Sequence, residues 1–215
     1  MRKCIGFFGG TFDPIHLGHL RLALELKQQL QLDEMSLVPC AIPPHRATPD
    51  VSAQQRLAMV QLALADCAEL RWDARELQRE MPSYTYDTLS ELRAELGAET
   101  SICWCMGMDS FAGLETWHRW QELLGLAHVV VVARPGWELP VSGVFAEWVA
   151  QYSVKADDAP AAIHASPAGH VAILQPRLLP ISATEIRAQI GAGMSPQFLV
   201  PDAVWNYIRA EGLYR

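Results

Sequence analysis

The chain lacks the cysteine pattern of a disulfide-bonded or zinc-binding protein. Its 5 cysteines among 215 residues are odd in number and scattered, and the C-x-C of Cys103 and Cys105 has no second pair or histidine cluster to complete four ligands. Both lie in the apolar segment SICWCM, so we predict that they are buried strand residues. A reducing compartment is expected, and hence a cytoplasmic location.

The chain also lacks a long apolar run and an excess of basic residues. Even Val129–Ala133 is far shorter than the ~20 residues of a membrane-spanning helix, and the first apolar segment breaks at Gly9-Gly10, too early for a signal peptide. With 17 basic and 24 acidic residues, the net charge of −7 disfavours nucleic acid. Neither membrane nor nucleic acid is expected as a partner, but a few focused donors can still bind a small phosphorylated ligand.

Short apolar segments alternate with longer segments of helical periodicity, and 50% of the residues are hydrophobic, enough for a full core. This alternation predicts one α/β domain over residues 1–215, a Rossmann-like, doubly wound, mostly parallel sheet with helices on both faces. The sequence leaves open whether this domain forms a homo-oligomer. The predicted strands are Lys3–Phe8, Met35–Val38, Leu70–Asp73, Ser101–Met106, His128–Ala133 and Val171–Leu174. The predicted helices are Leu17–Leu32, Ser52–Asp66, Thr85–Leu96, Trp117–Leu124, Ser182–Ile190 and Pro201–Ala210, and Ala156–Gly169 is predicted to be a loop.

Helix starts are marked by two predicted capping boxes, Ser52 with Gln55 and Ser182 with Glu185. Gly97 is a predicted C-terminal cap. The residues predicted to line the buried face of the helix Ser52–Asp66 are Leu57, Val60 and Leu64.

The segment FFGGTFDPIHLGHL, Phe7–Leu20, follows the first strand. Gly9 and Gly10 can adopt positive φ and let backbone N–H groups approach a ligand. His16 and His19 should project from one face of a helix start, where the partial positive charge suits a phosphate. The G-x-G-x-x-G and P-loop motifs are absent. A glycine-rich turn with two surface histidines is the alternative, but the combination of features favours a phosphate site.

The segment ISATEIR, Ile181–Arg187, forms a second candidate anion site near the other end of the chain. Ser182 is predicted to cap a helix whose first-turn N–H groups face outward, and Arg187 lies one turn in from Ala183. An ordinary helix start is the alternative interpretation. If the two segments meet in one sheet, they suit a triphosphate better than a monophosphate.

These two segments make the family recognisable. GGTFDPIHLGHL resembles the signature of the nucleotidylyltransferase superfamily, and His16-Leu17-Gly18-His19 matches its H-x-G-H. ISATEIR resembles the superfamily hallmark I-S-[ST]-T-x-I-R and departs from it at Ala183. Five further segments, spread over nearly the whole chain, resemble bacterial nicotinate mononucleotide adenylyltransferases. They are PPHR (Pro43–Arg46), MPSYTYDTL (Met81–Leu89), GMDSFAGLETWHRW (Gly107–Trp120), ARPG (Ala133–Gly136) and VPDAVWNYIRAEGLY (Val200–Tyr214).

The resemblance implies transfer of AMP from ATP to the 5′-phosphate of nicotinate mononucleotide, giving deamido-NAD and pyrophosphate. The acceptor phosphate oxygen is already an anion, so the reaction needs no general base and no enzyme nucleophile. Mg²⁺ is expected to bind mainly through the ATP phosphates, with Asp13 as one candidate carboxylate and no cage of protein ligands.

The resemblance also implies the residues that bind ATP. His16 and His19 are expected to donate to its phosphates, His19 chiefly in the transition state, and Arg187 to hold the β/γ end. These three are the predicted catalytic residues. Asp109 is expected to accept hydrogen bonds from the ribose, although it could instead be an N-cap. The full predicted set for ATP is Gly9, Gly10, Thr11, Phe12, His16, His19, Gly107, Asp109, Arg134, Ile181, Ser182, Thr184 and Arg187.

For nicotinate mononucleotide, Arg46 is expected to hold the phosphate, where the family often has lysine. The pyridine ring should lie against Trp117 or Tyr86, although Trp117, like Trp120, could instead be a core residue. The full predicted set is Asp13, His45, Arg46, Thr85, Tyr86, Trp117 and His118, where His118 replaces a frequent tyrosine. Backbone N–H groups near Thr85 and His118 should receive the nicotinate carboxylate, which favours it over nicotinamide.

Two alternatives remain open at this point. One is adenylyl transfer to another phosphorylated acceptor, such as phosphopantetheine. The other is a non-catalytic dinucleotide-binding module, for which two histidines at the phosphate would be superfluous.

Overall fold

The computed structural model describes residues 2–41, 51–79, 83–133, 136 and 142–215. Seven strands and eight α-helices lie within these residues, together with short 3₁₀ helices at Arg75–Gln78, Leu114–Thr116, Trp120–Gly125 and Ala156–Asp158. The strands are β1 (Cys4–Gly10), β2 (Glu34–Pro39), β3 (Arg71–Trp72), β4 (Ser101–Gly107), β5 (His128–Val132), β6 (Ser153–Val154) and β7 (Val171–Leu174). The helices are α1 (Leu17–Gln29), α2 (Ala53–Leu64), α3 (Thr85–Leu96), α4 (Met108–Phe111), α5 (Val144–Tyr152), α6 (Ala159–Ala165), α7 (Ala183–Gly191) and α8 (Asp202–Glu211).

The seven strands form one sheet in the order β3-β2-β1-β4-β5-β7-β6. The pairs β1–β4, β2–β3, β4–β5, β5–β7 and β6–β7 are parallel, which confirms the predicted Rossmann-like α/β class. Strand order reverses between β1 and β4, and ligands of such sheets bind beyond the carboxyl ends of the strands at this reversal. The loops after β1 and β4 are therefore the first places to look for a site.

The chain forms two compact units that alternate along the sequence. The first unit contains Met1–Phe8, Leu26–Met35 and Tyr84–Pro176, and the second contains Gly9–Glu25, Ser36–Ser83 and Arg177–Arg215. The assignment of residues 1–215 to a single domain stays a prediction. No helix in the described ranges is long and apolar enough to cross a membrane.

The central strands of the first unit are mostly buried, including all five residues of β5 and the first six of β4. Cys103 and Cys105 in β4 are completely buried, as predicted, and burial raises the pKa of Cys105 to about 12. Both thiols therefore stay protonated and act as small apolar side chains. Arg93 in α3 ties loops of this unit together through the carbonyls of Thr100, Leu126 and Pro167.

In the second unit, α2 begins at the predicted capping box, where Ser52 and Gln55 satisfy each other's backbone N–H groups. The prediction for its buried face was wrong at one position. Leu57 is only partly buried, whereas Arg56 is 1% exposed. The buried residues of α2 are Arg56, Met59, Val60 and Leu64. An arginine was not expected there because burying a cation is costly unless its donors are satisfied.

The predicted loop Ala156–Gly169 was wrong, because it contains a 3₁₀ turn and the helix α6. Pro160 lies in the first turn of α6, where its missing N–H costs no hydrogen bond. Ala159 and Ile163, four residues apart, are buried on one face. The composition that suggested a loop therefore suits a short helix, and α4, α5 and β6 were also not predicted.

The predicted helix Trp117–Leu124 was also wrong. Two short 3₁₀ helices, Leu114–Thr116 and Trp120–Gly125, replace it. Arg119 separates them with φ 54°, in the left-handed region that an α-helix cannot accommodate. Trp117 and His118 thus lie in the connection between the two, not on a helix face.

Candidate active site

The loop after β1 begins at Thr11, directly after the two glycines. Gly9 and Gly10 are the last residues of the strand, and neither is among the described glycines with positive φ. The positive φ that glycine permits is therefore not used at either position. Gly10 is required for space instead, because an added Cβ would lie 2.8 Å from the ring of Phe12. Phe12 itself is 2% exposed and has φ 49°.

His16 and His19 lie against each other at the start of α1, as their spacing predicted. Their ring centroids are 3.6 Å apart at an interplanar angle of 20°. The edge of the Phe12 ring meets His19 at 5.1 Å and 88°. The backbone N–H of His19 donates to His16 Nδ1 at 3.3 Å, so in the neutral ring the proton resides on Nε2.

Burial keeps both histidines neutral. It lowers the pKa of His16 to about 4 and the pKa of His19 well below its ordinary value, and the charge of His16 adds to the effect at His19. At neutral pH each ring is thus a neutral donor of one hydrogen bond rather than a cation. The donated proton of His16 is on Nε2, and the described part of the chain holds no acceptor for it.

Gly18 explains how the two rings can pack so closely. A Cβ at this position would lie 2.9 Å from Nδ1 and 3.0 Å from Cε1 of His16. It would also lie 3.5 Å from Cβ of Ile181, the first residue of the ISATEIR segment. The glycine between the histidines therefore leaves room for the His16 ring and for the close approach of a segment distant in sequence.

Arg187 provides a second contact between the same two segments. Its Nη1 donates to the backbone carbonyl of Asp13 at 2.7 Å. The N–H of Leu17, at the start of α1, donates to the carbonyl of Leu199 at 2.9 Å. All of these residues belong to the second unit. The two candidate phosphate segments, predicted from opposite ends of the chain, are thus adjacent in space.

Helix α7 begins at Ser182, but the predicted second capping box is wrong. Ser182 has extended backbone angles at the N-cap, yet its side chain makes no capping hydrogen bond. Glu185 and Thr184 are exposed in the first turn. The first-turn N–H groups of α7 therefore receive no side-chain cap, which suits a helix end that binds an anion.

Asp13 is held from the C-terminal end of the chain as well. Its carboxylate is 7% exposed and accepts a hydrogen bond from the Tyr214 hydroxyl at 2.7 Å. Burial, together with the hydrogen bond and the charge of Asp13, raises the pKa of Tyr214 far above its ordinary value. The hydroxyl therefore remains a donor at every physiological pH.

Two residues of this region were missed by sequence reasoning, Arg56 and Tyr214. Arg56 donates from Nη1 to the carbonyl of Thr11 at 2.6 Å and from Nη2 to the carbonyl of Ala41 at 2.9 Å. Its signal in the sequence is a cation four residues before Val60, on the apolar stripe of α2. Tyr214 carried no chemical signal beyond its place in the C-terminal segment.

In the first unit, β4 ends at Gly107, and Asp109 lies two residues further on. Gly107 is the N-cap of α4, and Asp109 is an exposed residue of its first turn. The alternative assignment of Asp109 as the N-cap is therefore wrong. Among the described residues, apart from the chain neighbours of Gly107, no heavy atom lies within 4 Å of a Cβ built on this glycine, so a side chain would have space there.

The predicted pyridine-binding residues also lie in the first unit, and several are in contact. The His118 ring lies 4.8 Å from the Tyr84 ring and 6.2 Å from the Tyr86 ring. The guanidinium of Arg119 lies 3.7 Å from the centroid of Tyr86, and Arg119 also pairs with Glu122. Thr85 begins α3 without a side-chain cap, so its first-turn N–H groups are not satisfied by a side chain.

Arg119 affects the choice between the two candidate stacking residues. It covers one face of Tyr86, whereas Trp117 is partly exposed. Trp120 packs against Phe145 and Trp148, in agreement with its interpretation as a structural residue. Trp117 is therefore the better candidate for stacking. His45, Arg46 and Arg134 lie outside the described residues.

The parallel sheet, with the two candidate phosphate segments adjacent in space, is typical of a nucleotidyltransferase. The family model described as cytidylyltransferase-like matches residues 7–189. Over all 215 residues the chain is 63% identical to a protein of Cellvibrio japonicus named probable nicotinate-nucleotide adenylyltransferase, with 100% of both chains covered. A protein of Pseudomonas aeruginosa with the same name is 52% identical and is covered to 99%. The chain belongs to the nicotinate-nucleotide adenylyltransferase family.

A solved structure supports the fold independently. The nicotinic acid mononucleotide adenylyltransferase of Plasmodium falciparum, complexed with NaAD, superimposes with a TM-score of 0.72. The match covers 99% of this chain and 98% of the other, at 17% sequence identity. At this identity the similarity concerns the fold, which is the predicted Rossmann-like one.

Proposed function

We propose that this protein transfers AMP from ATP to nicotinate mononucleotide, producing deamido-NAD and pyrophosphate. The observation that carries the proposal is the convergence of the two phosphate segments, in which Arg187 contacts Asp13 and Ile181 approaches Gly18. The names of the full-length relatives point to the same reaction. The catalytic residues of the proposal are His16, His19 and Arg187.

The histidines act as neutral donors aimed at the phosphates of ATP. His16 offers its Nε2–H, since Nδ1 accepts from the backbone. A neutral donor suits a reaction in which charge builds up on the α-phosphate, because it needs no counter-ion rearrangement as the transition state forms. His19, stacked on His16, acts chiefly in the transition state. The nearby Gly10, Thr11 and Phe12 form the wall of this phosphate site.

Arg187 holds the β/γ end of the triphosphate, together with the start of α7. One of its nitrogens is fixed on the Asp13 carbonyl, which orients the guanidinium. Ile181, Ser182 and Thr184 surround the uncapped first turn of the helix, whose N–H groups donate to the same oxygens. This clamp stabilises the pyrophosphate as it leaves.

The acceptor phosphate attacks the α-phosphate of ATP directly. Its oxygen forms the new P–O bond as the bond to the β-phosphate bridging oxygen breaks, and the electron pair leaves with pyrophosphate. No side chain has to accept a proton or form a covalent bond. The contribution of the protein is to hold two anions in line and to exclude other orientations.

Mg²⁺ is the expected cofactor, and its charge would offset that of the phosphates. Within the described residues, no group of three or more acidic, histidine or cysteine side chains could form a metal site. The proposal is that Mg²⁺ binds mainly through the phosphates of ATP, with Asp13 as the protein carboxylate beside them. The Tyr214 hydroxyl fixes one oxygen of that carboxylate.

Further residues are proposed to bind the two nucleosides. Asp109 accepts the ribose hydroxyls of ATP beside Gly107, and its exposure in the first turn of α4 supports this role. The pyridine ring of the acceptor stacks on Trp117. Its carboxylate binds N–H groups near Thr85 and His118, which gives the preference for nicotinate over nicotinamide.

The remaining assignments rest on the sequence. Arg46 and His45 bind the acceptor phosphate, Arg134 lies near adenine or the phosphates, and Asp13 belongs to the acceptor side as well. The cytoplasmic location, the single domain and a homo-oligomeric state also remain proposals.

The direct test is pyrophosphate release from ATP and Mg²⁺ with a series of acceptors. We expect nicotinate mononucleotide to exceed nicotinamide mononucleotide by ~10–100-fold in kcat/KM, since a hydrogen bond to a charged acceptor contributes about 1.5–3 kcal/mol. Equal or faster turnover of phosphopantetheine would replace the proposed acceptor. Absence of pyrophosphate release with every acceptor would favour a non-catalytic nucleotide-binding protein.

A further inference from the structure

Arg56 is the largest fully buried side chain of the described residues, and the proposed chemistry does not use it. It lies on the apolar face of α2, with 1% of its surface exposed. Its guanidinium makes two hydrogen bonds, to the carbonyl of Thr11 at 2.6 Å and to the carbonyl of Ala41 at 2.9 Å. It has no carboxylate partner in the described part of the chain.

The energetic cost of this arrangement is unusual for a residue that only fills the core. A buried cation paired only with carbonyl groups recovers less of its lost hydration than one paired with a carboxylate. In addition, the buried Nε has no hydrogen-bond partner among the described atoms. A methionine or leucine would fill the same volume without these costs, so the two bonds themselves require an explanation.

The two carbonyls belong to the ends of two neighbouring strands. Thr11 follows β1 directly, immediately before Phe12 and Asp13 of the phosphate loop. Ala41 lies two residues after the end of β2. A backbone bond already joins these ends, from the N–H of Cys40 to the carbonyl of Gly10 at 3.0 Å. Arg56 thus fixes the positions at which both loops leave the sheet.

We propose that Arg56 is a positioning residue that fixes the phosphate loop on one side and the start of the acceptor-phosphate segment on the other. His45 and Arg46, assigned to the acceptor phosphate, follow Ala41 in the sequence, so one guanidinium contacts the backbone at two positions that precede the residues assigned to the two substrates. This inference rests on the proposed function. The planar fork of arginine suits the task because it can donate to two separated carbonyls in a fixed geometry.

A second effect of Arg56 is electrostatic. Its charge, like that of Arg187, lowers the pKa of Tyr214 against the larger raising effects, so it reaches the Tyr214–Asp13 pair. A buried cation behind the phosphate loop adds to the positive potential at the proposed polyphosphate site in an acidic protein. A neutral replacement would therefore remove both the geometric and the electrostatic contribution.

The test compares Arg56→Met, Arg56→Lys and the matched control Arg93→Lys. Arg93 also holds loops together through backbone carbonyls, but none of its partners belongs to the proposed site. For each variant, kcat and the KM of both substrates are measured well below the unfolding midpoint, and thermal unfolding is measured separately. Wild-type activity with ATP and nicotinate mononucleotide is required first, so failure of the proposed function is recognised before any variant is compared.

We expect Arg56→Met to lower kcat by ~10–100-fold and to raise the KM of both substrates, as for a small displacement of aligned reactants. Arg56→Lys, which keeps the charge but not the fork, should retain an intermediate kcat. Arg93→Lys should lower the unfolding temperature with kcat unchanged. If Arg56→Met does not fold, the lysine variant alone decides. A wild-type kcat and KM in any folded Arg56 variant, or losses equal to those of Arg93→Lys, would overturn the proposal.

Discussion

Among the described residues, two histidine pairs are stacked, and they have different surroundings. His16 and His19 lie in the second unit at the start of α1, with ring centroids 3.6 Å apart. His128 and His170 lie in the first unit, nearly parallel at 6° with centroids 5.2 Å apart. His16 and His128 are both buried, and burial lowers the pKa of each to about 4.

The two pairs differ in what their ring nitrogens contact. His128 accepts from the backbone N–H of His170 at Nδ1 and therefore donates from Nε2 to the carbonyl of Ser166, at 3.0 Å. Both of its nitrogens are thus used by the backbone. His16 also accepts a backbone N–H at Nδ1, but its Nε2–H has no acceptor within the described residues. Burial and a lowered pKa are therefore common to both pairs, and the unused Nε2–H of His16 is the feature that supports its proposed role.

The largest expected difference between the pairs is in catalysis. We expect His19→Ala to lower kcat by ~10²–10³-fold, as for removal of one preorganised donor from a transition state. The matched variant His170→Ala should leave kcat near the wild-type value. Steady-state pyrophosphate release measures both, and a near-normal kcat for His19→Ala would remove this residue from the mechanism.

The next effect concerns the geometry of the functional pair. Gly18→Ala would place a Cβ 2.9 Å from the His16 ring and displace it, so we expect kcat to fall by ~10–100-fold. The free energy of unfolding should change little, because the higher helix propensity of alanine, about 1 kcal/mol over glycine, offsets the cost of the steric clash. Kinetics and urea unfolding measure the two effects.

The control for Gly18 is Gly191→Ala at the end of α7, where the nearest atom to an added Cβ, the carbonyl oxygen of Tyr214, is at 3.6 Å. That variant should be active. If Gly18→Ala is as active as the control, the close packing of His16 is not required.

The structural pair should instead control stability at low pH. Because the pKa of His128 is lowered to about 4 in the folded protein, the unfolded chain binds a proton between pH 6.5 and 4 that the folded state does not. Its contribution is therefore complete above pH 6.5 and is lost as the pH falls. Between pH 7.5 and 5 we expect a loss of about 2 kcal/mol from this residue.

Urea unfolding at both pH values, in the wild type and in His128→Gln, isolates this contribution. His16 and His19 affect stability in the same direction but are present in both proteins. The wild type should therefore lose more stability on acidification than the variant. The same loss in both would show that His128 is not the titrating group.

The smallest effect is expected at the carboxylate beside the functional pair. Tyr214→Phe removes the donor to Asp13, and we expect kcat to fall by only ~2–10-fold, because the charge of the carboxylate remains and only its orientation is released. Tyr207→Phe, on α8, is the matched control. Equal kcat in the two variants would mean that the Tyr214 contact serves packing alone.

The sequence predicted the parts of the fold that depend on local pattern. The six predicted strands all occur, and most of them are apolar runs bounded by turns, a pattern that specifies buried parallel strands. β3 differs, because both of its residues are exposed. The cap at Ser52 and the end of α3 at Gly97 also follow from local hydrogen bonding. The errors, such as α6 and the region around Arg119, occur where the decisive factor is burial against distant residues or a single left-handed backbone angle.

For the site, spacing predicted the stacked histidines and the family signature predicted their partner segment. Arg56 was not predicted from the sequence because buried arginines are rare. In addition, its partners are backbone carbonyls, which every residue type carries and which the sequence therefore does not reveal. Tyr214 was not predicted because its distance in sequence from Asp13 is very large. Functional residues that act through backbone contacts are thus the hardest to recognise from sequence.

The central claim is that His16, His19 and Arg187 bind the same polyphosphate. NMR titration with ATP, observing the ring signals of His16 and His19 and the Nε–H of Arg187, tests it most directly. We expect all three signals to shift with the same midpoint at one ATP per chain, and AMP to shift the histidines while leaving Arg187 unchanged. An Arg187 signal that does not respond to ATP, or responds with a different midpoint, would contradict the claim.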